Sequence, residues 1–245
     1  MFPLRDLNPT RTQPLVTIAL IAVNVAIWLL WQPRGNPLEE IEFLLANAVV
    51  ACELTTGEPL TFSEFNRGLC LEAASGPQIF PGKQIYGAAV VSMFLHGGLL
   101  HLLGNMWFLW IFGNNIEEAY GRIGYLSMYL VAGVAATAAF VVFNADETVP
   151  LVGASGAIAG VLGAYLVLHP MRPVLSLIVI AVLPIPAAIF LGIWFVTQFQ
   201  FAGAETGVAW EAHVFGFLFG VSLTLLLRGS LNRRLEELHD PRLPF

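Results

Sequence analysis

The run 123-IGYLSMYLVAGVAATAAFVVF-143 contains 21 consecutive residues without one charged side chain. Wound as a helix at about 1.5 Å per residue it reaches ~32 Å, enough to cross a hydrocarbon core of about 30 Å. Working outward from it, further apolar runs lie near 15–31, 97–114, 153–169, 174–200 and 207–227, which makes six predicted spans. The composition agrees, with 57% hydrophobic and 11% charged residues and a mean hydropathy of +0.73. A soluble domain carries more than twice that charged fraction, about 25%. A formal net charge of −6 without a basic stripe gives no electrostatic case for nucleic-acid binding. The expected fold is an all-α membrane bundle of six helices. It has an inner N-terminal segment 1–14, a membrane domain 15–228 and a charged, partly helical tail 229–245.

The first run lacks the small-residue cleavage site of a secretory signal and reads as an uncleaved span. The second is interrupted by His101 and Asn105, and the fourth is short and glycine-rich. The fifth contains Pro184 and Pro186, which remove backbone donors and are expected to kink it. With the N-terminus inside, the inner segments hold Arg5, Arg11, Arg122, Arg172, Arg228, Arg233, Arg234 and Arg242. The outer ones hold Arg34, Arg67 and Lys83, so the count is 8 against 3 and favours both termini inside. All three exceptions fall in one long outer loop, 32–95, together with seven acids including Glu53, Glu64 and Glu72. A loop of that length is expected to pack on something or to have a task of its own. It also holds Cys52 and Cys70, whose pairing suits an oxidising outer compartment.

Polar groups inside spans are costly and point to function. Here they are His101 and Asn105 in the second span, Ser155 opening the fourth and His213 in the sixth. Counted down to the inner anchors Glu117, Arg172 and Arg228, the positions His101, Ser155 and His213 lie 16, 17 and 15 residues up their helices. All three therefore sit roughly 22–26 Å above the inner boundary, in one outer layer. The fourth helix, roughly 24 Å long, cannot fill a ~30 Å core, so its start should lie below the outer surface in a water-bearing cavity. Hydrolysis in a membrane needs such a cavity, because water is a reactant.

Small residues at four-residue spacing, Gly156–Gly160–Ala164 and Ala212–Gly216–Gly220, let two membrane helices approach backbone to backbone. Ser155 precedes one stripe and His213 follows the start of the other, so facing stripes bring a nucleophile to its base. Ser155 at a helix start also has free N–H groups beside it for an oxyanion, and His101 and Asn105 share one helical face that can add donors. No acid is placed as a third member: Glu211 falls on a different face from His213, and a Ser–His dyad is expected.

Gly153-Ala154-Ser155-Gly156 reads GxSG, Ala212-His213-Val214-Phe215-Gly216 reads AHxxG, and His96-(x4)-His101-(x3)-Asn105 precedes both. In this order, on these helices, the set resembles that of the rhomboid intramembrane serine proteases. The opening Arg5-Asp6-Leu7-Asn8-Pro9-Thr10 and the Glu117-Glu118…Tyr120-Gly121-Arg122 stretch are similar to bacterial members. The resemblance covers nearly the whole chain to about Arg228. The chain departs from many members in lacking a Trp-Arg pair in its first loop.

The resemblance implies a six-helix rhomboid-like bundle with Ser155 as nucleophile and His213 as base. His101 and Asn105 would stabilise the oxyanion. It further implies transmembrane proteins as substrates, cleaved near their outer ends, and a bacterial cytoplasmic membrane as location. Helix 5 and the loop 201–211 would match the region discussed as gate and cap. No cofactor, metal or nucleic acid is expected.

GxSG alone is a weak signal, and a lone buried histidine is more often structural than catalytic. Their combination at matched depth outweighs that reading. His96 is expected to be a hydrogen-bond partner of the outer loop, His169 a boundary residue and His239 a solvated tail residue. Trp107, Phe108 and Trp110 are expected to face lipid or core. A small secondary transporter would also break helices in the membrane, but it predicts inverted repeats and a midplane site. An inactive relative acting as a membrane chaperone usually lacks the serine or the histidine, and both are present.

Overall fold

The structure, a computed structural model, describes residues 1–70, 76–202, 207–240 and 242. Glu72 of the acidic outer loop and residues 203–206 of the 201–211 loop lie outside them. In chain order the described residues form β1 (Phe2–Asp6), α1 (Leu15–Leu30), α2 (Pro37–Asn47), α3 (Ala51–Thr56), α4 (Phe62–Arg67), α5 (Ile85–Val91), α6 (Leu99–Phe143), α7 (Ser155–Leu168), β2 (Pro173–Ile178), β3 (Ala181–Pro186), α8 (Ala187–Gln198) and α9 (Trp210–Leu238). Short 3₁₀ turns follow α5 at Ser92–Phe94 and α8 at Phe199–Phe201.

The second and third predicted spans are the two arms of α6, 99–120 and 122–143, broken at Gly121 (φ 70°, ψ 165°). That left-handed backbone favours glycine, which is why the break falls there. Both α6 and α9 are long and apolar enough to cross a membrane, and α1, α7 and α8 are shorter apolar helices. One core joins Leu20 of α1, Leu109, Phe112 and Tyr129 of α6, Leu162 and Tyr165 of α7, Phe190 of α8 and Phe217 of α9. α9 runs on unbroken to Leu238, so the charged tail continues the last helix.

The fifth predicted span and the all-α expectation are both corrected. Residues 173–186 form an antiparallel hairpin rather than the first half of a helix, and β1 adds to it in the order β1-β2-β3. The proline positions explain the choice. Pro184 and Pro186 lie on the edge strand β3, Pro3 on the other edge strand and Pro173 at the start of β2, where a missing N–H costs least. In a helix interior each would remove a bond. The remaining residues are rich in β-branched Val and Ile, which suit a strand. The tip leaves Val179 and Ile180 89% and 92% exposed, with Val179 at φ 56° in a region a β-branched residue rarely adopts.

Among the described residues of 32–95, Leu45, Val50, Cys52 and Leu60 form a small core of their own. Cys52 and Cys70 are joined by a disulfide. Thr61 and Glu64 form a reciprocal capping box at α4. A buried ion pair, Lys83 Nζ to Glu53 Oε2 at 2.5 Å, closes the unit. Burial pushes the Lys83 amine below its ordinary range, opposed by Glu53.

At the end of α7 remote from Ser155, buried Glu117 caps the start of α1. Its carboxylate accepts from the N–H groups of Val16 and Thr17 at 2.9 and 2.8 Å. Neighbouring Glu118 accepts from the N–H groups of Arg11 and Thr12 at 2.6 and 2.9 Å. His239, expected in solvent, instead bonds Glu118 at 2.8 Å because α9 carries it back over this end.

Asp6 accepts from Tyr165 Oη at 3.1 Å and from Asn115 Nδ2 at 2.6 Å. Burial raises its pKa from 3.8 to about 6, with those hydrogen bonds opposing the rise. A carboxyl raised on folding contributes stability that is full below the unfolded value of 3.8 and lost as pH rises through about 6. Asp6→Asn should therefore raise the melting temperature at neutral pH. A thermal scan of the pair from pH 7.5 down to 4 should show the gain shrinking below 6 and vanishing near 4.

Candidate active site

α7 begins at Ser155, and its partner α9 presents His213 one turn inside its own start. The hydroxyl Oγ of Ser155 lies 2.8 Å from His213 Nε2. The two helices can come this close because side chains are missing between them. A Cβ on Gly216 would overlap the carbonyl of Gly156, and one on Gly220 would overlap the carbonyl of Gly160. On the third side, Cβ atoms on Gly156 and Gly160 would stand 2.6 and 2.5 Å from the methyl groups of Ala136 and Ala132 in α6. The predicted stripes do face one another, with one adjustment. The last α7 position in the seam is Gly163, where an added Cβ would overlap the Phe217 carbonyl, rather than Ala164.

His101, in the first turn of the 99–120 arm, is brought to the same place. A Cβ on Gly153 would sit 2.8 Å from its Nε2 and 3.5 Å from Ser155 Oγ, so the imidazole lies across the glycine beside the serine. Gly153 is needed for space and also for its φ of 126°. The N–H of Gly97 points at His101 Nδ1 over 3.4 Å, which favours the tautomer with a hydrogen on Nε2, the nitrogen nearer Ser155. Asn105 is buried one turn below, and its Nδ2 donates to the His101 carbonyl at 3.0 Å. All four residues singled out in the sequence therefore lie in one neighbourhood. His96 is fully buried, its backbone is paired with the Gln32 side chain, and its ring stands edge-on to His101 at 5.2 Å.

Sequence reasoning missed two contributors. Gln198, buried at the end of α8, places Oε1 2.7 Å from His213 Nδ1, and Trp194 one turn earlier lies 6.2 Å from the imidazole, ring centre to ring centre. The rule that singles out polar groups in apolar runs covers Gln198 too, since it falls inside the fifth run. Ser92, the second, holds the loop leading into α7. Its carbonyl accepts from the Gly153 N–H at 2.9 Å and its hydroxyl from the Val49 N–H at 2.6 Å. Two more backbone bonds tie that loop to the 32–95 unit, Leu151 N–H to the Val49 carbonyl at 2.8 Å and Cys52 N–H to the Glu147 carbonyl at 3.0 Å. A single serine amid short helices carries no signal that would reveal this.

A serine hydroxyl on an imidazole nitrogen, at the start of a buried helix inside an apolar bundle, is an arrangement suited to acyl transfer. The Rhomboid domain matches residues 83–230, more than half of the chain. The chain belongs to the rhomboid family and is an integral membrane protein. It is similar to the presenilin-associated rhomboid-like protein A, mitochondrial, of Danio rerio, with 33% identity over 139 residues, 54% of this chain and 35% of that protein. The rhomboid protease GluP of Bacillus subtilis is 44% identical over 72 residues, 29% of this chain and 14% of the relative. Rhomboid protein 1, mitochondrial, of Saccharomyces cerevisiae is 28% identical over 159 residues, 62% and 44% of the two chains. The chain thus spans less than half the length of each of these relatives.

Gly216 carries no chemistry, which makes it a clean test of the seam. A leucine there must push α9 from α7, and a displacement near 1 Å can cost ~100-fold in rate with every reacting group still present. Gly216→Leu should insert into membranes normally and lose fluorophosphonate labelling of Ser155 by about that factor, measured against the wild type in detergent.

Proposed function

We propose that the chain is an intramembrane serine endopeptidase that cuts transmembrane helices of other membrane proteins near their outer ends. The observation that carries the reading is the 2.8 Å contact between Ser155 Oγ and His213 Nε2 at the start of α7. In this reading Ser155 attacks the scissile carbonyl carbon while its proton passes to His213 Nε2. The oxyanion is met by N–H groups at the start of α7, by His101 Nε2 and by Asn105 after a small rotation of its amide. Collapse expels the new amine, which takes the proton back from His213, and a water activated by the same nitrogen releases the acyl chain. Neither a metal nor a cofactor enters these steps. A member that only bound helices would have no use for a serine hydroxyl seated on an imidazole.

The reading places six spans in the bilayer: α1, the two arms of α6, α7, α8 and α9. Segment 1–14 and tail 229–245 face the cytoplasm of a bacterial inner membrane, flanking the membrane domain 15–228, and residues 32–95 lie outside. The arginine distribution supports this orientation, as does the hairpin, which sets β1 beside the end of α7 remote from Ser155.

Ser155→Ala should abolish cleavage of a generic single-span substrate by detergent-purified protein with no fall in melting temperature. A fluorophosphonate probe should label the wild type only, and proteolysis retained by the alanine variant would sink the proposal. Independently, reporter fusions should place both termini in the cytoplasm and the 32–95 unit outside. A C-terminus found outside would refute the six-span arrangement.

A further inference from the structure

We propose that Gln198 is a positioning residue that fixes the tautomer of His213, so that α8 holds the base in its working form. The inference rests on the proteolytic reading above and adds to it a residue that a two-membered site would not need.

Three hydrogen bonds in series set the direction. Gln198 Nε2 is 2.9 Å from the Trp194 carbonyl, which can only accept, so the amide nitrogen must point there. Its oxygen is then the atom 2.7 Å from His213 Nδ1, and an amide oxygen only accepts, so Nδ1 carries the hydrogen. Nε2 is left with a lone pair, 2.8 Å from Ser155 Oγ, and the hydroxyl donates to it. The reverse tautomer would set a hydrogen on Nε2 against the hydroxyl and leave an unprotonated Nδ1 facing the amide oxygen. Gln198 is buried, which makes an unmatched pair there expensive. Trp194, one turn back on the same face of α8, lies tilted against the imidazole and limits its rotation.

The proton balance follows directly. On attack the Ser155 O–H bond breaks, its electron pair forms the bond to the carbonyl carbon and its proton adds to Nε2. Nδ1 keeps its own proton throughout, because an amide cannot take it. Gln198 orients the ring and offers a dipole to the imidazolium without sharing in the transfer. The serine and the histidine are locked together by the α7–α9 seam, whereas this third contact comes from α8. The opposite face of α8 leaves Ile189, Ile193 and Val196 exposed.

The test compares Gln198→Leu and Gln198→Glu with the full-length wild type in detergent, using a single-span substrate. Gln198→Leu should lower kcat about 10- to 100-fold with KM changed less than about twofold, since the lost interaction serves the chemical step. Gln198→Glu keeps an acceptor facing Nδ1 and should recover most of kcat. Nitrogen NMR of histidine-labelled protein, with the His213 signal assigned by its loss in His213→Asn, should show Nδ1 protonated and Nε2 bare in the wild type. The leucine variant should show a mixture.

Wild-type kcat together with an unchanged tautomer in the leucine variant would overturn the proposal. A loss confined to KM, or one that the glutamate fails to restore, would overturn it as well by marking Gln198 as packing. If the wild type cleaves nothing while the leucine variant still changes the tautomer, the proteolytic reading fails and the positioning of His213 stands.

Discussion

The closeness of α7 and α9 is the constraint on which the rest of the molecule depends. Lipid tails are as apolar as leucine, so two helices in a bilayer gain from each other mainly by contact, and contact is closest where side chains are absent. Gly156, Gly160 and Gly163 meet Gly216, Gly220 and the carbonyl of Phe217 in this way, with Ala132 and Ala136 of α6 filling the third side. Ser155 adjoins one end of this seam and His213 lies one turn before Gly216. The helix packing therefore brings the two residues within reach of each other, with Oγ and Nε2 2.8 Å apart.

A packed seam fixes helices but not the loop that feeds them. The Gly153 N–H is committed to the Ser92 carbonyl, and the loop before it is bonded to Val49 and Cys52 of the 32–95 unit. That unit has a core of its own, closed by a disulfide and a buried ion pair. Its α3 also reaches the membrane helices, where Ala51 packs with Ala136, Phe140 and Ala212. These residues thus hold the loop that leads into Ser155. The commitment of the Gly153 N–H removes it from the donors beside the serine.

Much of this was legible in the sequence because hydrophobic length and small-residue spacing report directly on membrane helices. The run 123–143, the two glycine stripes and the polar residues at matched depth led to the correct neighbours. The run 174–200 misled because apolar content alone does not separate a helix from a hydrophobic hairpin. Pro184 and Pro186 read as a kink, although two prolines a residue apart sit better on an edge strand. Partnerships across the chain left no periodic trace. Glu117 capping α1, Ser92 holding Gly153 and Gln198 reaching His213 join residues 100, 61 and 15 positions apart, and only folding brings them together.

The unequal helix lengths carry a consequence for the surrounding lipid. Each arm of α6 has 22 residues, ~33 Å, while α8 has 12, ~18 Å, and its 3₁₀ turn adds only ~6 Å. In the proposed six-span arrangement an ordinary bilayer fits beside α6 without distortion, whereas beside α8, with its row of exposed Ile189, Ile193 and Val196, it is several ångströms too thick. Acyl chains there must shorten or tilt. In that arrangement the mismatch runs along α8, the helix that sets Gln198 against His213.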